Sequence, residues 1–135
     1  PFGKAKVERK GKDVTVVAFS ISVTWAMQAA EELAKQGIEA EVINLRSIRP
    51  LDAETIAESV RKTNRIVTVE EGWPFAGIGA EIGMQVVEAA FDYLDAPPVR
   101  VTGLDIPMPY AANLEKLALP SPAQIVDAAK RVTYK

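Results

Sequence analysis

Glu41-Val42-Ile43-Asn44-Leu45-Arg46-Ser47-Ile48-Arg49-Pro50-Leu51-Asp52 decides the fold. With Ala40 before it, the segment through Leu45 is an apolar, β-type run. A polar turn follows. Asp52 then offers a helix cap, with Leu51 and Ile56 spaced as a hydrophobic staple across it. A second stretch repeats the grammar: Val67-Thr68-Val69-Glu70-Glu71-Gly72-Trp73, running into Gly77-Ile78-Gly79-Ala80-Glu81-Ile82. A strand, a polar turn and a helix start, twice over, describe an α/β chain.

Working outward, Val14-Thr15-Val16-Val17-Ala18-Phe19 is a continuous β-type run, the pattern of a strand buried on both faces of a parallel sheet. Ala40–Leu45, Ile66–Glu70 and Val99–Thr102 bring the parallel strands to four. Ala5–Arg9 reads as one more. Lys10-Gly11-Lys12-Asp13 is too short for a crossover, so this strand is expected to pair with 14–19 as an antiparallel hairpin. Lys4, Lys6, Arg9, Lys10 and Lys12 suit a charged edge strand better than a binding patch. The prediction is one three-layer α/β domain over residues 1–135. It has a five-stranded mixed sheet, four strands parallel and one antiparallel N-terminal edge strand, with helices on both faces.

The helix ends are legible. The first helix runs from Ser22 to Gln36 and stops at Gly37 as a left-handed cap. The second carries Ile56, Ala57 and Val60 inward and ends near Asn64. Ser121-Pro122-Ala123-Gln124 is a capping box with proline at the first helical position, and Ile125, Val126, Ala129 and Val132 form the stripe behind it. On the first helix the core stripe reads as Val23, Ala26, Met27, Ala30, Leu33 and Ala34. Trp25 then falls on the opposite face, and Ile21 shares its side, so the pair is expected to form a self-association surface.

Composition narrows the function. The chain has 135 residues, 48% hydrophobic and 25% charged, with a net charge of −2. That acidic balance argues against nucleic acid as a partner. No run of 18 apolar residues marks a membrane-spanning helix. Cysteine and histidine are both missing, which excludes disulfides, thiolate or imidazole metal sites, and nucleophile–histidine pairs. The start, Pro1-Phe2-Gly3-Lys4, is not a signal peptide and lacks an initiator methionine, so the chain reads as a piece of a longer one.

Chemistry is sparse. Gly77-Ile78-Gly79-Ala80-Glu81-Ile82-Gly83 has the spacing G-x-G-x-x-x-G, not the dinucleotide fingerprint, and it follows the wrong strand. Its glycines are expected to let a buried helix start close to the sheet. Glu70 and Glu71 sit at a strand's carboxyl end but point to opposite faces, so they do not converge. Arg46 and Arg49 are expected to pair with Glu70 or Glu71. Asp52 and Asp105 have no evident partner. No catalytic, cofactor-binding or metal-binding set emerges. Used on their own, Arg46, Arg49 and Glu70 would make this a self-contained small-molecule-binding or enzymatic domain, poorly equipped without a phosphate loop, histidine or cysteine.

Nearly the whole chain resembles the C-terminal domain of the β subunit of the pyruvate dehydrogenase E1 component, one of the transketolase-like, thiamine-diphosphate-dependent enzymes. The resemblance rests on Gly3-Lys4-Ala5, Glu41–Asp52, Val67–Ile82, Phe91-Asp92-Tyr93-Leu94-Asp95-Ala96-Pro97, and Val101-Thr102-Gly103 through Pro107-Met108-Pro109-Tyr110-Ala111. Ser20-Ile21-Ser22-Val23-Thr24-Trp25 departs from the family's usual S-x-x-V-G-x-A pattern. The resemblance implies a non-catalytic assembly domain that associates as a homodimer and supports domains lying elsewhere. Thiamine diphosphate and magnesium would belong to the parent enzyme, between the E1 α subunit and the β subunit's N-terminal domain. The resemblance further implies docking onto the subunit-binding domain of the dihydrolipoyl acetyltransferase through Asp95 and a carboxylate on Lys135. It also implies a mitochondrial matrix or bacterial cytoplasmic location.

Overall fold

The computed structural model describes residues 3–71, 77–103 and 119–135. The strands are β1 (Lys6–Arg9), β2 (Val14–Ala18), β3 (Ala40–Asn44), β4 (Ile66–Val69) and β5 (Val99–Val101). The α-helices among the described residues are α1 (Ser22–Lys35), α2 (Ala53–Thr63), α3 (Ile78–Ala90) and α4 (Pro122–Thr133). One five-stranded sheet runs in the order β1-β3-β2-β4-β5. β2 is parallel to β3 and β4, β4 is parallel to β5, and β1 is antiparallel to β3. The expected mixed sheet, with its single antiparallel edge strand, is what forms.

The sheet separates two cores, and β2 alternates between them. Val14, Val16 and Ala18 pack with Ala26, Ala30 and Leu33 of α1 and with Ile125, Ala129 and Val132 of α4. Val17 packs on the other face with Ile56 and Val60 of α2 and Ile82 and Val86 of α3. All five β2 residues are buried, as expected for a strand covered on both sides. The helix caps form as read. Asp52 accepts from the Thr55 amide, Asn64 closes α2 in a left-handed conformation, and Ser121 and Gln124 complete a capping box. At the end of α1, Gly37 (φ 81°) and Ile38 donate their amides back to Ala34 and Leu33, closing a Schellman motif.

The hairpin does not form. β1 pairs with β3, not β2: Lys6 lies opposite Asn44 and Val7 opposite Ile43. Both edges of β2 are taken by parallel neighbours, so the free edge of β3 receives β1. The connecting segment crosses over the start of β3 to reach β2. There the amides of Lys12 and Asp13 both donate to Glu39 O, at 3.1 and 2.9 Å. A Cβ on Gly11 would lie 2.3 Å from the Ala40 carbonyl carbon, so this crossing admits only glycine. The four-residue length fits a hairpin, but it also suffices to step over one strand end.

Candidate functional site

The residues singled out by sequence fall at the two ends of the parallel strands. At the carboxyl end, Glu70 is buried and Glu71 is exposed, so the two do diverge. Glu70 Oε1 accepts the Gly79 amide at 3.2 Å in the first turn of α3. A Cβ on Gly79 would lie 2.7 Å from Thr68 Oγ1 and 3.0 Å from Glu70 Oε1. The glycine therefore lets α3 begin against the sheet, as expected. A carboxylate at a helix start complements the unpaired amides and the helix dipole.

Arg46 and Arg49 are exposed, and among the described residues no ion pair joins either of them to Glu70 or Glu71. The expected pairing gives way to the Gly79 amide, which lies nearer to Glu70. Arg46 instead contributes its backbone: its left-handed conformation (φ 62°) lets its amide donate to Asn44 Oδ1 at 3.0 Å. Asp52, read as lacking a partner, has several: the Thr55 amide and hydroxyl and, from far along the chain, the Ala5 amide at 2.9 Å. Burial raises its carboxyl pKa, but these hydrogen bonds and the Lys4 charge outweigh burial and hold it below the ordinary value. Asp105 lies outside the described residues.

Trp25 is not on a free face. It is half-buried and packs against the α1–α4 core, while Ile21 is 52% exposed. The shift arises from Ala29. It is buried although it was outside the expected stripe, and it swings the buried face of α1 toward Trp25.

The amino end is built around Arg65, which sequence reading did not single out. Its Nε donates to Val132 O at 3.1 Å, and its Nη1 donates to Asp13 O and Thr63 O, both at 3.3 Å. Its Nη2 lies 3.5 Å from Asp95 Oδ2. One guanidinium thus joins the last turn of α4, the start of β2, the end of α2 and the acid of the α3–β5 loop. The loop is pinned further. Asn64 Nδ2 donates to Tyr93 O at 2.7 Å, the Asp95 amide donates to Asn64 O at 2.9 Å, and Tyr134 Oη donates to Asp95 O at 3.2 Å. The Asp95 side chain stays 55% exposed. Tyr134 brings the last turn of the chain, including Lys135, to this corner. The left-handed Asn64 was a visible signal of a helix end. Nothing in the sequence around Arg65 marks its several partners.

A second acid was visible but unread. Glu41, within the quoted strand, is 3% exposed. It accepts from Ser59 Oγ at 2.7 Å, from the Gly11 amide at 3.1 Å and from Lys62 Nζ. Ser59 spends its proton on Glu41, so Thr15, 2.6 Å away, must donate to Ser59. Thr63 continues this buried chain at 2.7 Å from Thr15. Burial raises the Glu41 carboxyl pKa, yet the hydrogen bonds from Lys62, Ser59 and Gly11 and the Lys62 charge hold it below the ordinary range.

Among the described residues, neither end offers a cradle suited to thiamine diphosphate with its magnesium. Glu70 already fills the start of α3 with negative charge, where a diphosphate would be repelled. Among the described residues no cluster of three carboxylates, histidines or cysteines could hold the metal.

The comparisons with known proteins identify the family. The family profile described as "Transketolase, C-terminal domain" matches residues 3–125. The rice protein named "Pyruvate dehydrogenase E1 component subunit beta-1, mitochondrial" is 65% identical over 100% of this chain and 36% of its own length. The Rhizobium meliloti "Pyruvate dehydrogenase E1 component subunit beta" is 58% identical over 100% of this chain and 29% of its own. A solved structure described as "Split gene transketolase, inactive beta4 tetramer" superposes with a TM-score of 0.86 at 30% identity, covering 98% of this chain and 43% of that one. The chain thus spans about a third of the length of the curated relatives it matches.

Proposed function

The chain belongs to the transketolase C-terminal domain family, and from that premise we propose that it is the assembly domain of a pyruvate dehydrogenase E1 β subunit. Its work is to associate subunits and to dock the acetyltransferase core. Chemistry belongs to the rest of the parent enzyme, which would carry thiamine diphosphate and magnesium, contact the E1 α subunit, and reside in the mitochondrial matrix or the bacterial cytoplasm. The observation that carries this reading is Asp95. It is the acid of the Leu94-Asp95-Ala96-Pro97 motif, and it stands exposed on a loop held by Arg65, Asn64 and Tyr134. A fixed loop loses little entropy on binding. A basic subunit-binding domain is the matching partner, with a carboxylate on Lys135 as a second contact.

Homodimerisation is supported by the exposed Ile21, with the outer part of Trp25 beside it, and by the homotetramer printed for the matched transketolase structure.

Surface plasmon resonance of the subunit-binding domain over this chain tests the docking. Asp95→Ala is expected to weaken binding by roughly 2–5 kcal/mol at a desolvated contact and by about 1 kcal/mol or less at a wet rim. Unchanged affinity removes Asp95 from the interface. Sedimentation of wild type, Ile21→Asp and Trp25→Ala tests self-association: equal behaviour of all three removes that surface. Calorimetric titration with thiamine diphosphate and magnesium is expected to show no saturable binding, and micromolar binding would refute the non-catalytic reading.

A further inference from the structure

We infer that the carboxyl end of the sheet, where a clamped loop carries Arg46 and Arg49, is the seat for the domain that precedes this one in the same polypeptide. This rests on the reading above of the chain as one domain of an E1 β subunit, and it specifies which face turns toward the rest of that subunit. The chain spans 36% of the rice relative's length, and the matching profile is that of a C-terminal domain. Most of such a subunit therefore lies ahead of Gly3.

The segment that leads into β1 is fastened to the loop between β3 and α2. The Ala5 amide donates to Asp52 Oδ2 at 2.9 Å, and the same carboxylate caps α2 through Thr55. Gly3 is left-handed at φ 83°, and a Cβ there would lie 3.1 Å from Pro50 Cγ. At the other end of the loop, Asn44 Nδ2 donates to Glu8 Oε1 at 3.2 Å, while Asn44 Oδ1 accepts the Arg46 amide. These ties hold residues 3–8 against residues 44–52. A polypeptide arriving at Gly3 thus arrives beside Arg46 and Arg49.

The fastened loop displays groups that the domain itself does not use. Arg46 and Arg49 are exposed. Among the described residues, neither side chain meets a hydrogen-bond or ion-pair partner. Beside them lies a groove of about 400 Å³, floored by Ile48, Leu51 and Ile78 and walled by Glu81 and Gln85 of α3. A guanidinium gains most from a carboxylate met in its own plane. The arginines therefore call for acids on the arriving surface, the apolar floor for an aliphatic or aromatic side chain, and Glu81 for a donor. Tethering makes so modest a patch sufficient. Two parts of one chain meet at an effective concentration on the order of millimolar, whereas a free partner must offset the whole cost of association. A second copy fits less well, because a two-fold axis through this face would set its arginines against each other.

The test uses the intact β subunit assembled with its α subunit. Arg46→Lys and Arg49→Lys keep the charge and supply an amine, which a carbodiimide couples to a carboxylate in direct contact. Peptide mapping is expected to find both positions joined to acids of the preceding domain. Arg46→Glu combined with Arg49→Glu should speed hydrogen exchange in residues 45–52 by about 10-fold or more at low salt. The milder Arg46→Gln with Arg49→Gln should move exchange in the same direction by less. Cross-links found solely to the α subunit or to a second β subunit, no cross-link at either position, or exchange unmoved by the reversal each overturn the seat and leave docking through Asp95 standing. A natural polypeptide with no domain ahead of Gly3 removes the seat and the assembly-domain reading together.

Discussion

The two ends of the parallel strands solve the same problem in opposite ways. Each must satisfy loose backbone groups and place an acid. At the carboxyl end the acid, Glu70, is buried and turned inward onto the Gly79 amide, while Arg46 and Arg49 are left exposed. At the amino end the arginine, Arg65, is turned inward onto three carbonyls, while the acid, Asp95, keeps more than half its surface exposed. A half-buried guanidinium has five donors in a fixed fork and can tie several chain ends at once, whereas a carboxylate can only accept. The amino end is therefore tied across four chain segments by one side chain. Asp95 meets Arg65 through Oδ2 and leaves the rest of its carboxylate exposed, the part that the proposed docking would use.

The largest expected effect tests whether the amino end is closed as tightly as its geometry states. Gly11→Ala should destabilise the domain by about 3 kcal/mol or more, because the new methyl meets backbone and not a movable side chain. A loss under about 1 kcal/mol in urea titration would show that the crossing is loose.

The next test uses pH, with one carboxylate at each end. The carboxyls of Glu41 and Asp52 are held below their ordinary values in the folded state. As pH falls, the unfolded chain therefore takes up these protons first. The stability they give is complete near neutral pH and is lost as pH drops below the ordinary carboxylate range. Urea midpoints measured down the acid limb should fall, and Glu41→Gln should flatten that limb.

Arg65→Gln removes the tie among four chain segments and should cost about 2 kcal/mol. Arg46→Gln, at the other end, should stay within about 0.5 kcal/mol. Equal losses would dissolve the contrast between the ends. Glu70→Gln keeps shape but removes charge at the start of α3, and about 1 kcal/mol or less is expected. A gain on this substitution would mean that the carboxylate is strained there.

The layers, the caps and the strand count were legible because each follows from local pattern. Continuous Val runs signal two covered faces, and Asp52, Gly37 and Ser121 signal helix ends through their own backbone chemistry. What could not be read depends on which strands meet. The placement of β1 turns on competition for the edges of β2, which no four-residue linker reveals. The Arg46–Glu70 pairing failed for a similar reason: an amide brought close by Gly79 outcompetes a flexible arginine. Arg65 was invisible because its acceptors are carbonyls from distant segments, and carbonyls carry no sequence signature. Glu41 was the missed opportunity, since an acid inside a strand of otherwise buried type calls for buried donors.

The insertion of β3 between β1 and β2 also sets an order of events during synthesis. A hairpin would close within microseconds of leaving the ribosome. β1 instead emerges before β3 and lacks its partner in this sheet until Asn44 has followed it. At roughly 5–20 residues per second that wait lasts on the order of seconds. Through it the charged β1 lacks that partner, and Lys6 and Arg9 then serve the nascent chain as much as the finished edge. Pulsed hydrogen exchange on stalled chains should find the Val7 amide unprotected until β3 has cleared the exit tunnel. Protection at shorter lengths would show that β1 first makes a transient pairing that β3 later displaces.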